Sequence, residues 1–155
     1  MKTSKLALLA LFVVVLGTLM VFFKPGLSPD KATFTPTLQS GNSDLVSRGR
    51  VIYAGQCAAC HGSNLEGQPN WRQRNLNGRL PAPPHDETGH TWHHPDAILF
   101  AITKYGPVAL VGGSTYESDM PAYDGVLTDE EIVAVLSYIK SQWPEYIRMR
   151  HDQMN

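Results

Sequence analysis

The stretch that decides the fold is Gln56-Cys57-Ala58-Ala59-Cys60-His61-Gly62. Its cysteines are the only 2 in a chain of 155 residues, and a histidine follows the second directly. So few cysteines exclude a disulfide-rich scaffold, and they also exclude a four-cysteine zinc or iron–sulfur site within one chain. The chemistry of the protein therefore depends on what this one Cys-x-x-Cys-His segment binds.

This segment matches the signature for covalent attachment of a c-type haem. The thiols of Cys57 and Cys60 would add to the two vinyl groups, and His61 would meet the iron from the proximal side. Three alternatives remain for the same residues. A thioredoxin-like pair needs a βαβ setting that the chain does not indicate, a zinc site lacks a second paired motif, and a disulfide at this spacing is strained. One covalent haem c is the predicted cofactor.

Helical patterns lie on both sides of the motif. Ser43 or Asp44 can cap a first helix that runs to about Ala54. Thr128 and Glu131 form a capping box before an apolar stripe at helical spacing, and a weaker helix is indicated over residues 95–104. No convincing strand pattern occurs, so an all-α domain is predicted.

The amino-terminal stretch predicts a membrane segment. Residues 6–23 carry no charge, and a helix of that length spans about 27 Å, close to the hydrocarbon core of a bilayer. No clear cleavage site follows, which favours an uncleaved signal anchor over a cleaved signal peptide. Because positively charged residues flanking a membrane segment tend to stay on the cytoplasmic side, Lys2 and Lys5 predict a cytoplasmic amino terminus. The predicted organisation is a transmembrane anchor at 1–24, a flexible linker at 25–42 and a haem-binding domain at 43–155.

Composition narrows the possible functions. The formal net charge is −1, so the basic excess that would attract nucleic acid is missing. No Ser-His-Asp pattern or paired-carboxylate motif competes with the Cys-x-x-Cys-His segment. The residue pattern therefore indicates no catalytic site beside this segment.

The chain resembles the class I c-type cytochromes, small mono-haem electron carriers, over about residues 45–141. The resemblance rests on Gly49 and Tyr53, on the attachment motif, on Met120-Pro121-Ala122-Tyr123, and on a last helix from Thr128 to Ser141. It implies an electron-transfer protein, not an enzyme, with a small all-α domain of about three to five helices around the haem. It also implies that the first and last helices cross closely at Gly49.

The iron of such a carrier needs a second axial ligand. Met120 is the predicted one, because the other methionines lie in the membrane segment or the polar tail; a core-filling role is the alternative. The resemblance implies that Pro69, eight residues after His61, offers its carbonyl to the Nδ1–H of that histidine. Candidate partners of the haem propionates are the following arginine and indole side chains, each of which could instead be a solvated charge or core aromatic: Trp71, Arg72, Arg74, Arg79 and Trp92.

A histidine-rich segment, residues 85–94, leaves three interpretations open. His85, His90, His93 and His94 could hydrogen-bond the backbone and propionates, bind copper or zinc, or supply a haem ligand in place of Met120. The expected function is one-electron relay at the periplasmic face of a bacterial cytoplasmic membrane. Expected partners are a quinol-oxidising complex, a dehydrogenase or a terminal oxidase. The alternatives are a haem protein with an open sixth position, peroxidase-like or gas-binding, and a copper-handling protein.

Overall fold

Helices form all the regular structure of residues 34–111 and 116–155, the part of the chain that the computed structural model describes. No β-strand occurs within those two ranges. The all-α class is confirmed, although the second, fourth and sixth helices were not predicted, and the sixth lies in what the sequence suggested was a polar tail. The six α-helices are α1 Ser43–Gln56, α2 Ala58–His61, α3 Asp96–Tyr105, α4 Pro107–Val111, α5 Asp129–Ser141 and α6 Glu145–Asp152, and Thr91–His93 is a 3-10 turn.

Helix ends follow the capping signals of the sequence. The capping box before α5 is confirmed, since the Thr128 hydroxyl accepts from Glu131 N at 3.2 Å and the Glu131 carboxylate accepts from Thr128 N at 2.9 Å. At α1 the cap is Asn42, whose side chain accepts from Leu45 N at 3.2 Å. The predicted cap, Ser43 or Asp44, is therefore wrong by one or two residues. Asn42, Ser43 and Asp44 all carry a side-chain oxygen that could accept a hydrogen bond from the first turn of α1.

Helices α1 and α5 cross with their backbones almost in contact. A Cβ atom on Gly49 would lie 2.0 Å from the carbonyl oxygen of Ala134 and 2.9 Å from the Cβ of Tyr138. Only a residue without a side chain fits this approach. The crossing predicted from Gly49 is therefore present.

The hydrophobic core is built around α5. Its predicted apolar stripe is buried, and the ring of Tyr53 from α1 and the indole of Trp143 after α5 pack into the same core. Burying this much apolar surface supplies the main favourable term in the folding of a domain of this size. The stripe residues are Ile132, Val135, Leu136 and Ile139.

The segment before α1 belongs to the domain. Leu38 is only 6% exposed, its backbone N–H donates to Asp96 Oδ2 at 2.8 Å, and Gln39 N donates to the Ser137 hydroxyl at 2.9 Å. The compact unit runs from Thr35 to Asn155, so its start lies within the predicted linker and before the predicted boundary at 43. The predicted membrane segment lies outside the described residues. Within the described ranges, no helix has the length and apolar character needed to cross a bilayer.

Helix α6 is fastened to the domain by a buried histidine. The His151 ring is fully buried, its Nε2–H donates to the His94 carbonyl at 2.9 Å, and its edge packs on Trp143 at 5.1 Å between ring centroids. Burial lowers the pKa of His151, and the Lys140 ammonium lowers it further. The carboxylate of Asp96, 3.7 Å away, raises the pKa of His151 and offsets part of this. The carboxylate of Asp152 acts in the same direction but is bonded to Lys140 at 2.5 Å.

A lowered histidine pKa makes stability depend on pH in a defined direction. Above about pH 6.5 both folded and unfolded states hold His151 neutral, and below it the unfolded state gains the proton first. Acidification from pH 7 to 5 should therefore lower the free energy of unfolding. His151→Gln should cost about 1–2 kcal/mol at pH 7 and lose less than the parent on acidification.

Urea unfolding at both pH values measures this, with His93→Gln on the exposed side of the 3-10 turn as the control. The same loss of stability between pH 7 and 5 in His151→Gln and the parent would contradict the assignment.

Candidate functional site

The Cys-x-x-Cys-His segment occupies the junction of α1 and α2. Cys57 ends α1 and begins α2, and its carbonyl accepts from His61 N at 2.9 Å. The single turn leaves Cys60 exposed and Cys57 half-buried, while His61 is only 7% exposed. Neither thiol is in a disulfide. The helical turn thus presents two free thiols from the same short segment that buries the imidazole.

The thiol of Cys57 is held in its protonated form. Burial, together with the nearby Cys60, raises the pKa of Cys57 to about 11. The nucleophile in cysteine chemistry is the thiolate, so a high thiol pKa slows oxidation and disulfide formation. The shift therefore reduces the thiolate fraction of Cys57.

The imidazole of His61 has one nitrogen bonded and one left for another partner. Its Nδ1 lies 2.9 Å from the carbonyl oxygen of Pro83, and it can only donate there. This fixes the tautomer with a lone pair on Nε2. Burial lowers the pKa of His61, and the bond to Pro83 opposes that shift. A neutral, oriented imidazole of this kind is the form that binds metals.

The carbonyl partner of His61 is Pro83, so the prediction of Pro69 is wrong. Gln68 N donates to Ala82 O at 2.9 Å, and Ala82 N donates to the Gln68 side chain at 3.0 Å. Residues 69–81 therefore leave the site as an excursion and return to it. The sequence distance from His61 pointed to Pro69, where the excursion begins. The proline whose carbonyl contacts the ring is Pro83, which follows the end of the excursion.

The segment that carries Met120 is anchored beside the attachment motif. The hydroxyl of Tyr123, which is 7% exposed, donates to Gln56 O at 2.7 Å, directly before Cys57. Tyr123 N donates to Lys104 O at 3.0 Å, which ties the same segment to the end of α3. Met120 is half-buried. The structure thus brings its segment to the motif, and its role as a ligand stays a prediction.

Ion pairs join the excursion to the Met120 segment. Arg79 was a predicted propionate partner, but its guanidinium bonds to Glu117 Oε2 at 3.3 Å and to Asp119 Oδ1. These carboxylates raise the pKa of Arg79. The charge of Arg79 is thus already paired within the chain. One of its partners, Asp119, directly precedes Met120. Sequence alone did not indicate this pairing, because the partners lie far apart along the chain.

The histidine-rich segment is arranged mainly by ring stacking. His85 lies against His61 with ring centroids 3.9 Å apart and planes inclined by 19°, and His93 stacks on Trp92 at 3.7 Å. His90 stacks on Trp71 at 5.3 Å. Across the described ranges, no group of three or more His, Cys, Asp or Glu side chains is placed to hold a metal ion.

Of the other four predicted propionate partners, Arg74 has an acceptor within the chain, since its Nη1 donates to Gly78 O at 2.6 Å. The Arg72 guanidinium lies 4.1 Å from the Trp71 ring centroid, which leaves its N–H groups at the exposed surface. The indole N–H of Trp92 donates to Glu87 O at 3.3 Å, so this donor has an acceptor within the chain. A propionate role stays a prediction for Trp71, Arg72, Arg74 and Trp92.

The donor set fits a c-type haem. Two free thiols, an imidazole with its Nε2 lone pair available and a half-buried thioether have the chemistry that attachment and axial ligation require. Helix α4 adds apolar side chains that are not in the core, since none of its residues is buried and Val108 and Val111 are 46% and 60% exposed. Such exposed apolar side chains are suited to contact the apolar edge of a cofactor.

Comparison with known proteins gives the same family as the motif. The family model described as Cytochrome c matches residues 46–143, which include the attachment motif, Met120 and helix α5. Searches of curated proteins and of solved structures give no significant match.

Proposed function

Because the chain belongs to the cytochrome c family, as a class I c-type cytochrome, we propose that it carries single electrons on one haem c. In this proposal the cofactor is bound covalently through Cys57 and Cys60, with His61 and Met120 as axial ligands. The observation that carries it is the bond between His61 Nδ1 and Pro83 O. This bond prepares the buried ring for ligation from the same turn that presents two free thiols.

The residues of the site have separate tasks in electron transfer. When bound, the haem supplies a ferric/ferrous couple. Pro83 holds the His61 ring and raises its basicity, and Tyr123 holds the Met120 segment against the end of α1. Both anchors are hydrogen bonds to backbone carbonyls, at 2.9 Å and 2.7 Å. These bonds restrict movement of the ligands. A small change in ligand geometry between the ferric and ferrous forms keeps the reorganisation energy of electron transfer low.

The location and partners extend this proposal. The charge-free stretch at 6–23 supports an anchor in a bacterial cytoplasmic membrane, with the haem domain in the periplasm. A quinol-oxidising complex, a dehydrogenase or a terminal oxidase would then be the electron donor or acceptor. Anchoring raises the effective concentration of the carrier near such complexes.

Optical spectroscopy of the purified full chain tests the proposal. We expect a low-spin ferrous spectrum, a sulfur-to-iron band in the ferric form and no change on adding carbon monoxide. A high-spin spectrum that shifts with carbon monoxide would instead mean an open sixth position, and the chain would be a gas-binding or peroxidase-like protein.

Replacing the proposed sixth ligand gives a sharper test. Met120→Ala should eliminate the sulfur-to-iron band, lower the reduction potential and allow carbon monoxide to bind, because the thioether stabilises the ferrous iron. Met149→Ala is the control, since that side chain is 55% exposed on α6. An unchanged ferric spectrum in Met120→Ala would assign the ligand to another residue.

A further inference from the structure

His85 contacts the proposed proximal ligand face to face. The two rings lie 3.9 Å apart at 19°, within the distance at which flat rings are in van der Waals contact. The hydrogen bond to Pro83 O holds His61 at one atom and still permits the ring to rock about it. A parallel ring on its face opposes that remaining motion. His85 therefore restrains the plane of the imidazole as well as its position.

The restraining ring is itself fixed at three points. Its Nδ1 lies 2.8 Å from the Thr91 hydroxyl, which fixes the direction of the His85 ring. Its backbone N–H donates to Leu65 O at 2.8 Å, and its carbonyl accepts from the Trp143 indole at 2.7 Å. A side chain held at both backbone groups and at its ring can transmit a defined orientation to its neighbour.

The hydroxyl of Thr91 holds the His85 ring by the shorter of its two polar contacts. Its oxygen lies 2.8 Å from His85 Nδ1, whereas Pro84 O is 3.5 Å away, at the outer limit of a hydrogen bond. Thr91 is only 6% exposed, so water competes little for these bonds.

The stacked arrangement separates this role from that of an iron ligand. A second axial ligand must approach the iron from the side opposite His61. His85 instead lies alongside the His61 ring, with the two faces nearly parallel. Of the interpretations left open for the histidine-rich segment, bis-histidine ligation by His85 does not fit this geometry.

We propose that His85 is a positioning residue that, held by Thr91, fixes the plane of the His61 imidazole and so sets the ligand field of the haem iron. The inference rests on the proposed function only in requiring His61 to bind the iron. It does not require Met120. The orientation of an axial imidazole determines which iron orbitals it overlaps, so a change of plane changes the magnetic anisotropy of the ferric ion.

The test compares four variants of the full-length holoprotein. His85→Leu removes the stack, His85→Phe keeps a flat ring but loses the bond to Thr91, and Thr91→Val removes the hydroxyl. Met149→Ala is the control, because its side chain is 55% exposed on α6. Ferric electron paramagnetic resonance and the paramagnetically shifted proton spectrum report the imidazole plane, and the reduction potential is measured in parallel.

We expect the g values and haem methyl shifts to change most in His85→Leu and less in His85→Phe and Thr91→Val, with Met149→Ala like the parent. A sulfur-to-iron band retained in every variant would show that Met120 ligation is unaffected. Unchanged spectra in both His85→Leu and Thr91→Val, or equal changes in His85→Leu and His85→Phe, would overturn the proposal. If His85→Leu does not fold, an unchanged Thr91→Val spectrum alone would overturn it. Failure of Met120 ligation would be visible separately, as absence of the sulfur band from the parent.

Discussion

Replacing Cys57 and Cys60 together by alanine should abolish covalent haem, seen as complete loss of haem staining after denaturing electrophoresis. The thiols are the only ones in the chain, and neither is committed to a disulfide. No other side chain can form the thioether bonds. The protein made in a cell competent for haem attachment should therefore migrate as unstained apoprotein.

The single variants separate the two bonds. Cys57→Ala and Cys60→Ala should each stain more weakly than the parent, because one thioether bond remains possible. The exposed Cys60 and the half-buried Cys57 differ in access, so unequal staining is expected. Protein amounts are matched by immunoblot, and Met149→Ala serves as the control. Full staining of the double variant would refute attachment through this motif.

Gly49→Ala should destabilise the domain severely. The added Cβ would lie 2.0 Å from Ala134 O, which is backbone and cannot move without separating α1 from α5. Overpacking of a well-packed core costs about 1–3 kcal/mol, and more when backbone must shift. We expect a loss of roughly 3 kcal/mol or more, a large part of the total stability of a typical domain.

The matched control for this prediction lies on the same helix. A Cβ on Gly55 would meet nothing within 4 Å, so Gly55→Ala should be neutral or should stabilise α1 by about 0.5–1 kcal/mol. Thermal unfolding of both variants measures the difference. A Gly49→Ala midpoint equal to that of Gly55→Ala would mean that the two helices are not in close contact in solution.

Local chemistry made part of the site predictable from sequence. The attachment motif lies within one helical turn, and the capping box of α5 is likewise a contact between near neighbours in the chain. The close crossing of α1 and α5 at Gly49 could be predicted only from the family resemblance. The residue whose backbone excludes a side chain at Gly49 is Ala134, which lies far away in sequence.

The remaining contacts depend on how the loops close. The correct partner of His61 was hidden because the excursion over residues 69–81 replaces Pro69 by Pro83 at the ring. The stacking of His85 and the pairing of Arg79 also join positions that no local pattern connects. Spacing along the chain predicts such contacts only where the intervening segment is regular.

The burial of Leu38 in the domain reduces the volume within which an anchored haem domain could move. The compact unit that contains Leu38 begins at Thr35, so the stretch between a membrane anchor at 1–24 and this unit would comprise only residues 25–34. Its greatest span is about 35 Å, against about 60 Å for the whole of 25–42. A sphere of the smaller radius has roughly one fifth of the volume, so an anchored domain would meet neighbouring membrane complexes more often and would not reach more distant ones. The bond between Leu38 and Asp96 would thus limit the choice of redox partners by distance alone.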